Sequence, residues 1–144
     1  MAILTWPGPH SDQKAASLSP LRRTALLAGL MFVLSLRTSK ARGKATNQLP
    51  TTLDDPLFVA IRAHGNATEN NPMLAVLMLV IGAHDPAVGV LVLMGVVTAA
   101  RYAHAAGVIV AKDMGKENKL RLGGAVVTVL GGLALAATAV VVSV

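Results

Sequence analysis

The chain has no cysteine. Disulfides, thiolate metal sites and a cysteine nucleophile are therefore excluded, and the redox compartment is left unread. Aromatic residues are 3% and charged residues 14% of the 144 positions, whereas a soluble domain carries about a quarter charged residues. A soluble core of this size normally uses more Phe, Tyr and Trp; helices facing lipid can do without them. What is present instead is Val, Leu, Ala, Ile and Met, within a hydrophobic total of 53%. The length fits one compact domain rather than two. A net charge of +6 would suggest nucleic acid as a partner of a soluble domain. Here the basic residues sit in short blocks beside apolar runs, with no interleaved aromatics, so the sequence reads against nucleic acid and for a lipid bilayer.

Four apolar stretches, at about 21–36, 56–83, 87–111 and 120–144, predict an all-α transmembrane four-helix bundle over residues 21–144. The first is the shortest: its uninterrupted apolar part, 25–36, falls below the roughly 20 residues a bilayer needs. Arg22 and Arg23 would have to snorkel to complete that span. Residues 1–20, which include three prolines and end in no cleavage pattern, are expected to form a disordered or interfacial extension. Residues 37–55 read as a polar loop, with Asp54 or Asp55 capping the second helix and Pro56 in its first turn. Gly82-Ala83-His84-Asp85-Pro86 reads as a tight turn.

The loop charges test this layout. The first loop carries Arg37, Lys40, Arg42 and Lys44; the third carries Lys112, Lys116 and Lys119, with Arg121 just beyond; the second carries no Lys or Arg. Four spans put the first and third loops on one side, so the positive-inside rule makes that side cytoplasmic.

Ionisable and amide side chains interrupt the second apolar stretch: Arg62, His64, Asn66, Glu69, Asn70 and Asn71. Such groups are costly in hydrocarbon and point to function. At 3.6 residues per turn, Arg62, Asn66 and Glu69 fall within about 60° of one another, with Asn70 at the edge and His64 and Asn71 opposite. Polar groups on two faces imply protein on both, hence oligomerisation. Two readings stand for each residue. His64, Asn70, Asn71 and His104 can be interhelical glue, and the Arg62/Asn66/Glu69 stripe can be a binding face, because a buried ion pair adds little net stability. Arg101 and His104 lie one turn apart on the third helix. Tyr102, the only tyrosine, is an interfacial anchor or a ligand contact. Arg121 is a positive-inside anchor or an anion-binding group. Gly123-Gly124 and Gly131-Gly132 allow close helix approach. No triad, paired acids or phosphate loop is recognisable, and no metal site is expected, since neither His64 nor His104 has co-ligands at metal spacing. The cluster suits a small anionic or zwitterionic ligand at a subunit boundary, with any chemistry using the ligand's own nucleophile.

The string Ile61-Arg62-Ala63-His64-Gly65-Asn66-Ala67-Thr68-Glu69-Asn70-Asn71-Pro72 resembles the second-helix signature of the MAPEG family, the membrane-associated proteins of eicosanoid and glutathione metabolism. Arg101-Tyr102-Ala103-His104 resembles that family's third-helix motif, and Arg121-Leu122-Gly123 the start of its fourth helix. The likeness covers about residues 24–144 and is strongest with small bacterial members, which implies a multi-pass protein of the bacterial inner membrane. It further implies a homotrimer binding glutathione between subunits near the cytoplasmic face, as co-substrate for a lipophilic small molecule. By carry-over, Arg62, Asn66, Glu69, Arg101 and Tyr102 would contact glutathione and Arg121 would hold its thiolate. Asn70 and Ala106 stand where leukotriene-type members have tyrosines. Two functions are consistent with this: a glutathione transferase or peroxidase, favoured by the intact stripe, and a non-catalytic protein using the cluster for trimer assembly or small-anion sensing, favoured by the scarcity of tyrosine.

Overall fold

The computed structural model describes residues 10–46, 49–50, 52–111 and 114–143, with side chains from residue 19 onward. Among these residues the structure is all-helical: α1 His10–Lys44, α2 Pro56–Gly82, α3 Val88–Val110 and α4 Lys119–Val142. The ends of α2, α3 and α4 fall within a residue or two of the expected ones, as terminal fraying allows. The capping expectation resolves to Asp55, whose carboxylate accepts from the Leu57 N–H at 2.8 Å while Pro56 opens α2.

The first helix differs from expectation at both ends. Residues 37–44, read as loop, continue α1 as a basic extension, because Arg, Lys and Ala are good helix formers that need no apolar face. Residues 10–20, read as disordered or interfacial, are helical as well; residues 1–9 lie outside the described residues. Pro20 is inside this helix and packs closely against Gly82 at the end of α2, where an added Cβ would come within 2.7 Å of its ring. Arg22 is exposed, as snorkelling requires, but Arg23 turns inward. Its guanidinium lies 3.4 Å from the Cβ position of Gly95 on α3, and its Nη1 is buried without a hydrogen-bond partner among the described residues.

Successive helices run antiparallel. On α1 and α2, Pro20 meets Gly82, Asn71 bonds the Leu27 carbonyl, and the Thr38 hydroxyl donates to the Ala60 carbonyl at 3.1 Å. On α3 and α4, a Cβ on Gly124 would lie 2.6 Å from the His104 nitrogen, and one on Gly107 would lie 2.5 Å from the Arg121 nitrogen. Only glycine permits these two backbone approaches. Gly124 therefore meets the close-packing expectation, while its neighbour Gly123 faces open space.

The interior has two apolar clusters. One joins Leu27, Leu74, Met78, Met94, Val97 and Leu135; the other joins Leu34, Val59, Ala63, Ala67, Ala105 and Val108. Between them, along both α2 and α3, come Asn71, Arg101 and His104, all buried. The outside is apolar: Phe32 is 72% exposed, Leu130 62% and Val141 75%. Water would penalise that surface heavily, whereas hydrocarbon accepts it.

Helices α1, α3 and α4 are long and apolar enough to cross a membrane. Helix α2 falls short by composition, because its middle holds Arg62, Glu69 and three asparagines. It nevertheless has 27 residues, so it is about 40 Å long, and it runs alongside α1 through the same slab. The chain is an integral membrane protein.

Candidate functional site

Polar side chains converge at the end of the bundle where α2 and α4 begin and α3 ends. There α2, α3, α4 and the loop before α4 enclose a cavity of about 430 Å³, bordered by Arg62, Asn66, His104, Glu117, Lys119 and Arg121, with Met114 and Val108 as apolar wall. Its size suits a small-molecule site.

Asn66 and Arg62 reach it from one face of α2, one turn apart. Arg62 is exposed and Asn66 partly buried. Asn66 is oriented by Arg101: Arg101 Nη2 donates to the Asn66 Oδ1 at 2.8 Å and to the Asn66 carbonyl at 2.9 Å. With its oxygen engaged, Asn66 has its amide N–H donors left for a ligand. The Asn70 amide also donates to the Asn66 carbonyl, at 2.9 Å.

Arg121 comes from the first turn of α4. Asn118 caps that turn by accepting from the Arg121 N–H at 3.0 Å. The Arg121 guanidinium binds the loop it has just left, donating to the Met114 carbonyl and to the Lys116 carbonyl, each at 3.2 Å. His104 Nδ1 lies 2.8 Å from the Arg121 carbonyl. A carbonyl only accepts, so Nδ1 carries the proton and Nε2 is the acceptor of the neutral ring. Residue 121 is thus held from three directions, by its cap, by its loop and by α3.

The structure places the other expected site residues elsewhere. Arg101 is 2% exposed, and its donors go to Asn66 and to Asn71 Oδ1, the latter at 2.8 Å. Tyr102 faces α1, its hydroxyl donating to the Leu26 carbonyl at 2.9 Å. Glu69 is exposed on α2, close enough for its charge to act on the Arg101 guanidinium. His64, partly buried, is outside the cavity lining. The stripe therefore divides: Arg62 and Asn66 border the cavity, and Glu69 does not.

Sequence reasoning missed Asn118 and Gly107. Asn118 carried a signal, an Asn two residues before the leucine that opens the apolar run. Gly107 continues the three-residue spacing of Arg101 and His104 along one face of α3. Among the described residues, no three His, Asp or Glu side chains come together as metal ligands.

The chemistry on offer is cationic: Arg62, Lys119 and Arg121 around one cavity, against one carboxylate, Glu117. Such a site holds an anion and stabilises negative charge that develops on it. No curated protein matches the chain. The model of the MAPEG family does match it, over residues 23–141, a stretch that takes in every residue lining the cavity. With most of its length so matched, this chain is a member of the MAPEG family.

Proposed function

We propose that the protein binds glutathione in the Arg62/Asn66/His104/Arg121 cavity and transfers it to lipophilic electrophiles that arrive through the bilayer. The observation that carries this reading is the convergence of Arg62, Asn66 and Arg121, from α2 and α4, on one cavity. Family membership supports it as well. The carboxylates of glutathione complement Arg62 and Lys119, and the Asn66 amide is free to donate to a peptide carbonyl. The chain has no thiol of its own, so the nucleophile belongs to the ligand. The glutathione S–H loses its proton to water, and the thiolate is stabilised by Arg121. The sulfur then attacks the electrophilic carbon, forming a C–S bond as the leaving group or epoxide oxygen takes the displaced electron pair.

The proposal includes a homotrimer in which a second copy covers the exposed polar face of α2. Glu69 stands thirteen residues after Pro56 and thirteen before Gly82, at the midpoint of α2. An exposed carboxylate at that depth is expensive in lipid, so a neighbouring protomer that brings polar groups or ligand to it removes the cost. This arrangement would also return Glu69 to the ligand, which it does not reach within one protomer. The positive-inside rule would place the cavity, beside the Lys-rich loop before α4, at the cytoplasmic face.

The second reading, a non-catalytic protein that uses the cluster for assembly or anion sensing, is favoured by Tyr102. The only tyrosine of the chain is bonded to α1, and no aromatic hydroxyl borders the cavity.

Calorimetry of glutathione binding to the detergent-purified protein tests the first reading, with Arg62→Ala and Arg121→Ala as controls. Saturable binding weakened by Arg62→Ala supports it, and absence of heat at millimolar glutathione overturns it. Conjugation of a model electrophile then separates the two readings.

A further inference from the structure

A second groove lies at the same end of the bundle and shares no residue with the Arg121 cavity. It has a volume of about 550 Å³, runs between the C-terminal half of α1, the start of α2 and the end of α3, and is lined by Val33, Leu36, Ala60 and Ile109 below and by Arg37, Lys40 and Lys44 above. At about 100° per residue, Val33, Arg37, Lys40 and Lys44 fall within about 60° of one another. One face of α1 thus changes from apolar to basic along the line of the groove.

We propose that this groove binds an anionic phospholipid, with an acyl chain against Val33, Leu36 and Ile109 and the phosphate headgroup held by Arg37, Lys40 and Lys44. Depth supports this. The uninterrupted apolar part of α1 ends at Leu36 and the helix itself at Lys44, and Arg37 to Lys44 covers about 10 Å of axis. That is comparable with the headgroup layer flanking a hydrocarbon core about 30 Å thick. Charge supports it too. Among the described residues, the side chains of Arg37, Lys40 and Lys44 make no hydrogen bond or ion pair. The nearest acids along the chain are Asp54 and Asp55. Asp55 is committed to the cap of α2. Asp54 is exposed and remains ionised, held below the usual carboxylate range by its hydrogen bonds to Thr52 and to its own backbone. Among these described neighbours, three cations therefore stand against one carboxylate that is not engaged in a helix cap. A soluble anion would leave the apolar lining unused, a zwitterionic lipid would bring no net charge to offset, and a fatty-acid carboxylate would answer only one point of a basic strip three residues long.

The test is lipid retention by the full-length protein in detergent, read by native mass spectrometry after incubation with equal amounts of dioleoyl phosphatidylglycerol and phosphatidylcholine. Preferential retention of phosphatidylglycerol is expected. Each Lys or Arg near an anionic headgroup contributes about a fivefold effect, so Arg37→Gln/Lys40→Gln/Lys44→Gln should weaken retention about 100-fold. Arg42→Gln, which removes a charge from the other side of α1, should leave it nearly unchanged. Ile109→Trp keeps every cation and fills the apolar wall, so it should also lower retention, which guards against misfolding of the triple variant. Equal retention of the two lipids, an unaffected triple variant, or an equal loss with Arg42→Gln would overturn the proposal. So would displacement of the lipid by inorganic phosphate, or stronger retention of oleate than of phosphatidylglycerol.

Discussion

Arg101 reaches across the α2–α3 seam to Asn71: its Nε donates to Asn71 Oδ1 at 2.8 Å, and Asn71 Nδ2 passes the connection on to the Leu27 carbonyl of α1 at 3.0 Å. Three helices are thereby tied through one asparagine, in a layer where both neighbouring clusters are apolar. The guanidinium also positions Asn66, so the interior of the bundle and the edge of the cavity are mechanically linked.

Breaking this link from one side should be more damaging than removing it whole. Asn71→Leu leaves the buried Arg101 short of an acceptor, and a loss of about 3 kcal/mol is expected in reversible detergent unfolding. Arg101→Leu should cost a similar amount and should also loosen Asn66. The double variant should lose clearly less than the sum of the two, because neither the guanidinium N–H stranded by Asn71→Leu nor the Asn71 oxygen stranded by Arg101→Leu remains. A strictly additive cycle would show that the pair is not coupled.

Adjacent glycines give a sharp contrast. At Gly124 a methyl group would meet the His104 nitrogen at 2.6 Å and the Ala100 carbonyl at 2.8 Å, so Gly124→Ala must push α3 and α4 apart. It should cost about 1–3 kcal/mol. Gly123→Ala meets nothing within 4 Å and gains helix propensity, up to about 1 kcal/mol. Melting temperatures of the two variants should therefore move in opposite directions.

Arg121 should show two separable effects. Its guanidinium holds the Met114 and Lys116 carbonyls, so Arg121→Ala should raise hydrogen exchange and proteolysis in the loop before α4, whatever the ligand. Under the proposed function it should also lower conjugation rate more than glutathione affinity, by about 100- to 1000-fold, the scale for losing one preorganised donor to a developing anion. Lys at this position keeps the charge but cannot bridge two carbonyls as a planar fork does. Arg121→Lys should accordingly recover more of the rate than of the loop protection.

The helices were legible because lipid imposes long apolar runs, and charged loops and Pro-containing turns bracket them. The extensions of α1 were not legible: residues 37–44 form a helix with no apolar period, so hydropathy carries no trace of them. In the site, the sequence correctly put Arg62, Asn66 and Glu69 on one stripe of α2, but the stripe straddles the rim of the buried face. Asn66 turns to Arg101 while Glu69 stays outside. The outcome depends on the register between α2 and α3, which close approaches such as Gly124 to His104 help to fix, and no pattern within a single helix encodes that register. Asn71 looked like the far side of α2, and geometrically it is. What the helical wheel could not say is that this far side faces the protomer's own α1 and α3.

That last point changes what the polarity of α2 predicts about assembly. The Asn71 face is satisfied inside one protomer, so only the face bearing Arg62 and Glu69 asks for a second chain. Under the trimer proposal, cross-linking between protomers should run through the Arg62 and Glu69 positions replaced by photoreactive residues and should be absent from Asn71. Native mass should report three copies. Glu69→Leu removes the charge that lipid penalises, by about 2–3 kcal/mol for an ionisable group at mid-bilayer. It should therefore ease insertion of α2 while weakening glutathione binding, if a neighbouring copy presents ligand there. A purely monomeric mass would remove the basis for Glu69 acting on a ligand at all, since within one protomer it lies outside the cavity that Arg62 and Asn66 border.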